Sequence, residues 1–180
     1  MEDVMLKTRI YGLGLSRTGT TTLAELFKGR GLRFHHYPKN VEQMYHPKTD
    51  GANDLPVIPE YKRLDKRFPT SKYIYTVRDI DAWIESMEYY IERKKNWTQS
   101  QGQLELRRII YGSADFNKQK YLDGYRKHEE DVLQYFKNRP GDLLVLDIIG
   151  GDSPQKLYDF LGYKDPAPQS FKNLNQLKRT

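Results

Sequence analysis

Apolar positions along the chain switch repeatedly between two spacings. Short continuous runs mark strands, and apolar residues at i, i+3 and i+4 mark helices. Residues 7–15 carry the run of a first strand. Leu23, Leu26 and Phe27 then keep helical spacing over residues 20–28, and Gly29 and Gly31 supply a stop. Residues 33–37 form a short second strand. Residues 38–59 are rich in Pro, Gly, Asn and Asp and predict a long loop, which in a compact domain is often functional. Tyr61, Leu64 and Phe68 share one side of a short helix over residues 60–68. Residues 72–77 are a strand rich in aromatic and β-branched side chains. Ile80, Trp83, Ile84, Met87 and Ile91 follow the stripe of a core-packed helix, with Asp79 as its N-cap. Residues 96–112 give no clear pattern. Residues 116–136 predict a long helix, which Pro140 and Gly141 end. The apolar run 143–149 reads as a strand buried on both faces. Ser153 and Pro154 open a last helix, Gly162 stops it, and an irregular polar tail follows.

Strands alternate with helices throughout, which argues for an α/β fold: a parallel sheet with helices on both faces. Ligands of such sheets bind at the carboxyl ends of the strands. The 180 residues suit a single domain, and 37% hydrophobic with 30% charged residues excludes a disordered tail. No apolar run reaches the length of a spanning helix, and the first residues lack the apolar core of a signal peptide. There is no cysteine, so disulfides, thiolate metal sites and cysteine nucleophiles are excluded. A cytoplasmic setting is the expectation. The net charge of +6 is spread along the chain, and no nucleic-acid motif accompanies it, so no nucleic-acid partner is expected.

The first candidate chemistry lies between the first strand and the first helix. Gly14, Gly19 and Thr21 fit the nucleotide loop G-x-x-x-x-G-K-[ST], but Thr20 stands where the lysine should be. A glycine-punctuated turn into a helix N-terminus cradles anions with free backbone N–H groups. Arg17 is the cation within the loop that can replace the lysine. Such a loop suits a phosphate-like anion better than ordinary ATP or GTP hydrolysis. A second candidate is Arg78, at a strand end, with Ser86 about two helical turns further on. The planar guanidinium fork suits a phosphate. Pairing of Arg78 with Asp79 or Asp81 is the plainer alternative.

Taken together, these residues resemble the sulfotransferases that use 3′-phosphoadenosine 5′-phosphosulfate (PAPS). In that family the loop P-K-x-G-T-T binds the 5′-phosphosulfate, and the segment 16–21 is similar to it, with Arg17 for the lysine. An arginine at a strand end and a serine eight residues later bind the family's 3′-phosphate, and Arg78 and Ser86 match that spacing. The segments 54–57, 68–79, 125–128, 143–147 and 157–162 also resemble a soluble branch of the family, and the likeness spans about residues 11–175. Pro154 and the segment 171–175 depart from its usual residues. The glycine-basic loop that closes over the 3′-phosphate in animal cytosolic members is not recognisable. The resemblance implies a three-layer P-loop NTPase-like fold. It implies sulfuryl transfer to a hydroxyl or amine of a small-molecule acceptor, with PAP (adenosine 3′,5′-bisphosphate) as product and no metal. The implied donor-binding residues are Arg17, Thr18, Gly19, Thr20, Thr21, Thr22, Arg78 and Ser86.

A general base should take the acceptor proton. Asp54 is the first candidate, from the D-x-P resemblance; an Asx-turn before Pro56 is its alternative. His36 is the second, and since His35 and His36 point to opposite faces, at most one of them faces the site. The tyrosines Tyr89, Tyr90 and Tyr111 either line an acceptor pocket or pack on helix faces. Two other functions stay open. A P-loop kinase or NTPase would use Asp147, which ends an apolar strand as a Walker B aspartate does. A non-catalytic module would bind PAPS or PAP without turnover.

Overall fold

The computed structural model describes residues 8–171. Five parallel strands form one sheet in the order β2-β3-β1-β4-β5, where β1 is Ile10–Gly12, β2 Phe34–His36, β3 Gly51–Asn53, β4 Lys72–Thr76 and β5 Leu143–Leu146. The helices are α1 Thr20–Gly29, α2 Val41–Tyr45, α3 Tyr61–Arg67, α4 Ile80–Lys94, α5 Gln101–Tyr111, α6 Lys118–Phe136 and α7 Pro154–Leu161. The expected α/β architecture, with helices on both faces, is what the chain adopts.

The period-two alternation of the strands divides the core. Tyr11, Tyr73 and Tyr75 face one side, where Tyr61 and Leu64 of α3 and Val132 and Phe136 of α6 cover them. Ile10 and Ile74 face the other, under Leu23, Ala24 and Phe27 of α1 and Leu157 of α7. A third cluster joins α4, α5 and α6 through Trp83, Met87, Tyr111, Tyr121 and Tyr125. It lies beyond the sheet and includes Leu15 of the loop after β1.

Three expectations need correction. The loop over residues 38–59 is largely ordered secondary structure: α2, then β3 inserted between β2 and β1, then a 3₁₀ turn Leu55–Val57. The patternless span holds α5, opened by a reciprocal capping box between Ser100 and Gln103. The last apolar run is an edge strand, not one buried on both faces. β5 pairs with β4 alone, and Val145 is 38% exposed. Its apolar residues serve the two flanking clusters: Leu143 packs with the α3/α6 side, and Leu144 and Ile148 with the α1/α7 side. The tail beyond residue 171 lies outside the described residues.

Candidate active site

The sheet presents the carboxyl ends of β1, β3 and β4 side by side, and the chain is strained there. Arg17, Tyr37 and Asp54, after β1, β2 and β3 respectively, are the non-glycine residues with positive φ among the described residues, at 76°, 52° and 78°. Strain of this kind persists only where surrounding structure over-determines it, and it clusters at functional sites.

The loop after β1 is held at both ends. Leu13 N–H donates to the Ile74 carbonyl at 2.8 Å, and Trp83 Nε1 donates to the Ser16 carbonyl at 3.0 Å. A Cβ on Gly14 would lie 1.7 Å from Thr76 Oγ1, so glycine is required for the loop to cross β4 so closely. Gly19 takes φ 99° and turns the chain into α1. The first helical bond is Leu23 N–H to the Gly19 carbonyl, so the N–H groups of Gly19 to Thr22 precede it without helical partners. These donors and the helix dipole make the end of the loop an anion cradle.

Two cations flank the loop that leads into that cradle. Arg17 turns its side chain to α4, where Nε donates to Ser86 Oγ at 3.1 Å, and its guanidinium lies 5.6 Å from the Tyr90 ring centroid. Arg78 donates through a terminal nitrogen to the Arg17 carbonyl at 3.2 Å, and its own carbonyl accepts the Tyr125 hydroxyl at 2.9 Å. Arg78 and Ser86 line one cavity of about 460 Å³ with Ala82, Glu85 and Tyr89. Sequence spacing brought Arg78 and Ser86 together; the Arg17 contact to Ser86 had no signal in it. Asp79 caps α4 through Ala82 N–H at 2.9 Å.

The four threonines of the loop point in different directions. Thr18 was expected to face a ligand, but its amide bonds the Leu15 carbonyl at 3.3 Å and its hydroxyl bonds Leu15 O and Thr76 Oγ1, both at 2.7 Å. It therefore shapes the loop from inside. The Thr22 hydroxyl is also buried, with no hydrogen-bond partner among the described residues. Thr20 donates to Asp54 Oδ2 at 2.7 Å, and the Thr21 hydroxyl lies 3.2 Å from His36 Nε2.

Asp54 is buried and serves three donors: Ser16 Oγ at 2.8 Å, its neighbour Leu55 N–H at 2.8 Å, and Thr20 Oγ1. It thus caps the 3₁₀ turn and also reaches into the loop after β1. His36 stands beside it, with Nε2 3.8 Å from Asp54 Oδ2 and Nδ1 2.9 Å from Asn53 Oδ1. His35 points away and meets Thr49 at 3.3 Å. Burial, reinforced by the charge of Asp54, pushes the Tyr37 hydroxyl up to about 12, so it stays protonated at neutral pH. His128 is buried on α6 and meets the Leu13 carbonyl at 2.7 Å; it supports the loop from below. Tyr111 is fully enclosed and stacks on Tyr121, whereas Tyr89 is half exposed at the cavity.

Asp147, the candidate Walker B aspartate, directly follows β5. One of its carboxylate oxygens accepts Gly150 N–H at 2.6 Å, closing its own turn. No group of three or more His, Asp or Glu among the described residues is placed to hold a metal ion. No helix among them is long and apolar enough to cross a membrane.

The role of Asn53 and the contacts that Trp83, Tyr90 and Tyr125 make to the loop segments escaped the sequence reading. The last three lie at core positions of amphipathic helices, where nothing separates a hydroxyl or indole that packs from one that also anchors a loop. A family model described as "Sulfotransferase domain" matches residues 38–180, a span that holds Asp54, Arg78 and Ser86 and begins after the glycine loop. No curated protein matches the chain. With that match over most of its length, on a parallel sheet, the chain belongs to the sulfotransferase domain family.

Proposed function

We propose that the chain moves a sulfuryl group from PAPS to a hydroxyl or amine of a small-molecule acceptor. The observation that carries this reading is the convergence of Arg17, Arg78 and Ser86 beside the open N-terminus of α1. A donor with phosphates at both its 3′ and 5′ positions needs two anion sites a short distance apart. The α1 cradle with Arg17 suits the 5′ end, and the cavity of Arg78 and Ser86 suits the 3′-phosphate.

The bound donor supplies an activated sulfuryl group, and the remaining chemistry falls to the chain. In the transfer an S–O bond to the acceptor forms while the S–O bond to the donor phosphate breaks. Negative charge grows on the leaving phosphate, where the N–H groups of Gly19, Thr20 and Thr21 oppose it, and Arg17 swings from Ser86 to join them. The acceptor proton passes to His36 Nε2. Of the two candidate bases, His36 is the better placed. Asp54 already receives three hydrogen bonds, which occupy its oxygens, whereas the His36 side chain is 27% exposed. Asp54 then faces the imidazolium that forms, and the negative charge 3.8 Å away stabilises it.

Titration calorimetry with PAP, and in parallel with ATP and Mg²⁺, tests the donor site, and transfer of ³⁵S from labelled PAPS tests turnover. PAP binding that is lost in Arg17→Ala and Arg78→Ala supports the reading. PAP binding without transfer to any acceptor would leave a binding module. Binding of ATP alone would return the kinase or NTPase function.

A further inference from the structure

Asn53 ends β3, and in the parallel register it lies directly across from His36 of β2. Its side chain is completely buried and makes two hydrogen bonds. Nδ2 donates to the Thr20 carbonyl at 2.6 Å, which fixes which end of the amide is oxygen. Oδ1 then meets His36 Nδ1 at 2.9 Å. An amide oxygen only accepts, so His36 Nδ1 carries the hydrogen. A neutral imidazole has one N–H, and Nε2 is left as a lone pair. That lone pair faces the Thr21 hydroxyl of α1 at 3.2 Å, and Asp54 Oδ2 stands beyond it at 3.8 Å. Turning the amide over would set oxygen against the Thr20 carbonyl, and the other tautomer would set two lone pairs against each other. Each bond therefore holds the other in place.

We propose that Asn53 is a positioning residue, which keeps His36 in the Nδ1–H form with Nε2 free to accept a proton. The inference rests on the reading of His36 as the base. An amide suits this task better than a carboxylate. A second anion beside Asp54 would hold the ring as imidazolium, whose Nε2 has no lone pair to offer. The same amide ties the ring to the first turn of α1 through Thr20. The base is thereby referenced to the helix end that would hold the donor, and not to a loop of its own.

The test uses the full chain labelled with ¹⁵N and observes the ring nitrogens of His36 at neutral pH. A pyrrole-like Nδ1 and a pyridine-like Nε2 are expected; the reverse pattern overturns the inference whatever the activity. Asn53→Asp should convert the ring to imidazolium at the same pH. It should also move the ascending limb of the kcat/KM profile to higher pH by about one unit or more. A folded Asn53→Asp protein with an unmoved limb would overturn the proposal. If the variant does not fold, the tautomer of the parent decides alone. An Nδ1–H ring in a chain that transfers nothing from PAPS would preserve the hold of Asn53 on the ring and overturn the function instead.

Discussion

The hydroxyl of Thr20 donates to Oδ2 of Asp54 across 2.7 Å, in the position where a nucleotide P-loop carries its lysine. The slot for a phosphate-reaching ammonium is thus filled by a short side chain turned toward a buried carboxylate. Thr20→Val keeps the shape and removes the donor. A hydrogen bond to a charged group is worth about 1.5–3 kcal/mol, and that loss is expected in urea denaturation. A change below about 0.5 kcal/mol, the range of inert surface substitutions, would mean that the bond contributes nothing to the loop.

Arg17 and Arg78 should separate in their effects. Arg17 rests on Ser86 Oγ and can turn from there to the α1 cradle as charge grows during transfer, so Arg17→Ala should lower kcat more than PAP affinity. Arg78 lines the neighbouring cavity and also holds the Arg17 carbonyl at 3.2 Å. Arg78→Ala should weaken PAP binding by roughly 1.5–3 kcal/mol, about tenfold to a hundredfold, as read by calorimetry. Negligible effects of both substitutions would remove the site from this end of the sheet.

Much of the scaffold around these residues was legible because local pattern and tertiary role agree. The α4 stripe, the Asp79 cap and the Ser153-Pro154 start of α7 are all realised. β3 was missed for a physical reason. Gly51-Ala52-Asn53 has no β-branched or aromatic residue, and only its place between two strands makes it one. α5 was missed because its buried residues, Arg107 and Tyr111, give no apolar stripe. At the site, spacing along one helix could pair Arg78 with Ser86. It could not reveal that Arg17, 69 positions from Ser86, arrives at the same hydroxyl, nor that register sets Asn53 against His36. Such contacts belong to the packing of separate segments.

Gly14 carries no side chain because Thr76 occupies its space. In Gly14→Ala the new Cβ would meet Thr76 Oγ1 at 1.7 Å and Thr18 Oγ1 at 2.7 Å, both inside the packed crossing of loop and β4. Overpacking of a rigid interior costs typically about 1–3 kcal/mol, and a lowered melting temperature is expected. Thr76→Ala removes the nearer obstacle, so the double variant should recover part of the loss. Additive losses in the two single variants would show that the crossing loosens instead of clashing.

His128 should make stability depend on pH. It is buried on α6 against the Leu13 carbonyl, and burial holds it below the ordinary histidine value, with that hydrogen bond and Asp131 opposing the shift. The unfolded chain then binds a proton more readily than the folded one. Stability is complete above the unfolded value of about 6.5 and falls as pH drops below it toward the folded value. His128→Gln can still donate to Leu13 but does not titrate. Urea unfolding of both proteins at about pH 7.5 and about pH 5.5 isolates the contribution, because the carboxylates common to both cancel. The parent should lose more stability than the variant on acidification. Equal losses would mean that His128 accepts its second proton within the fold, and that the support under Leu13 is open to water.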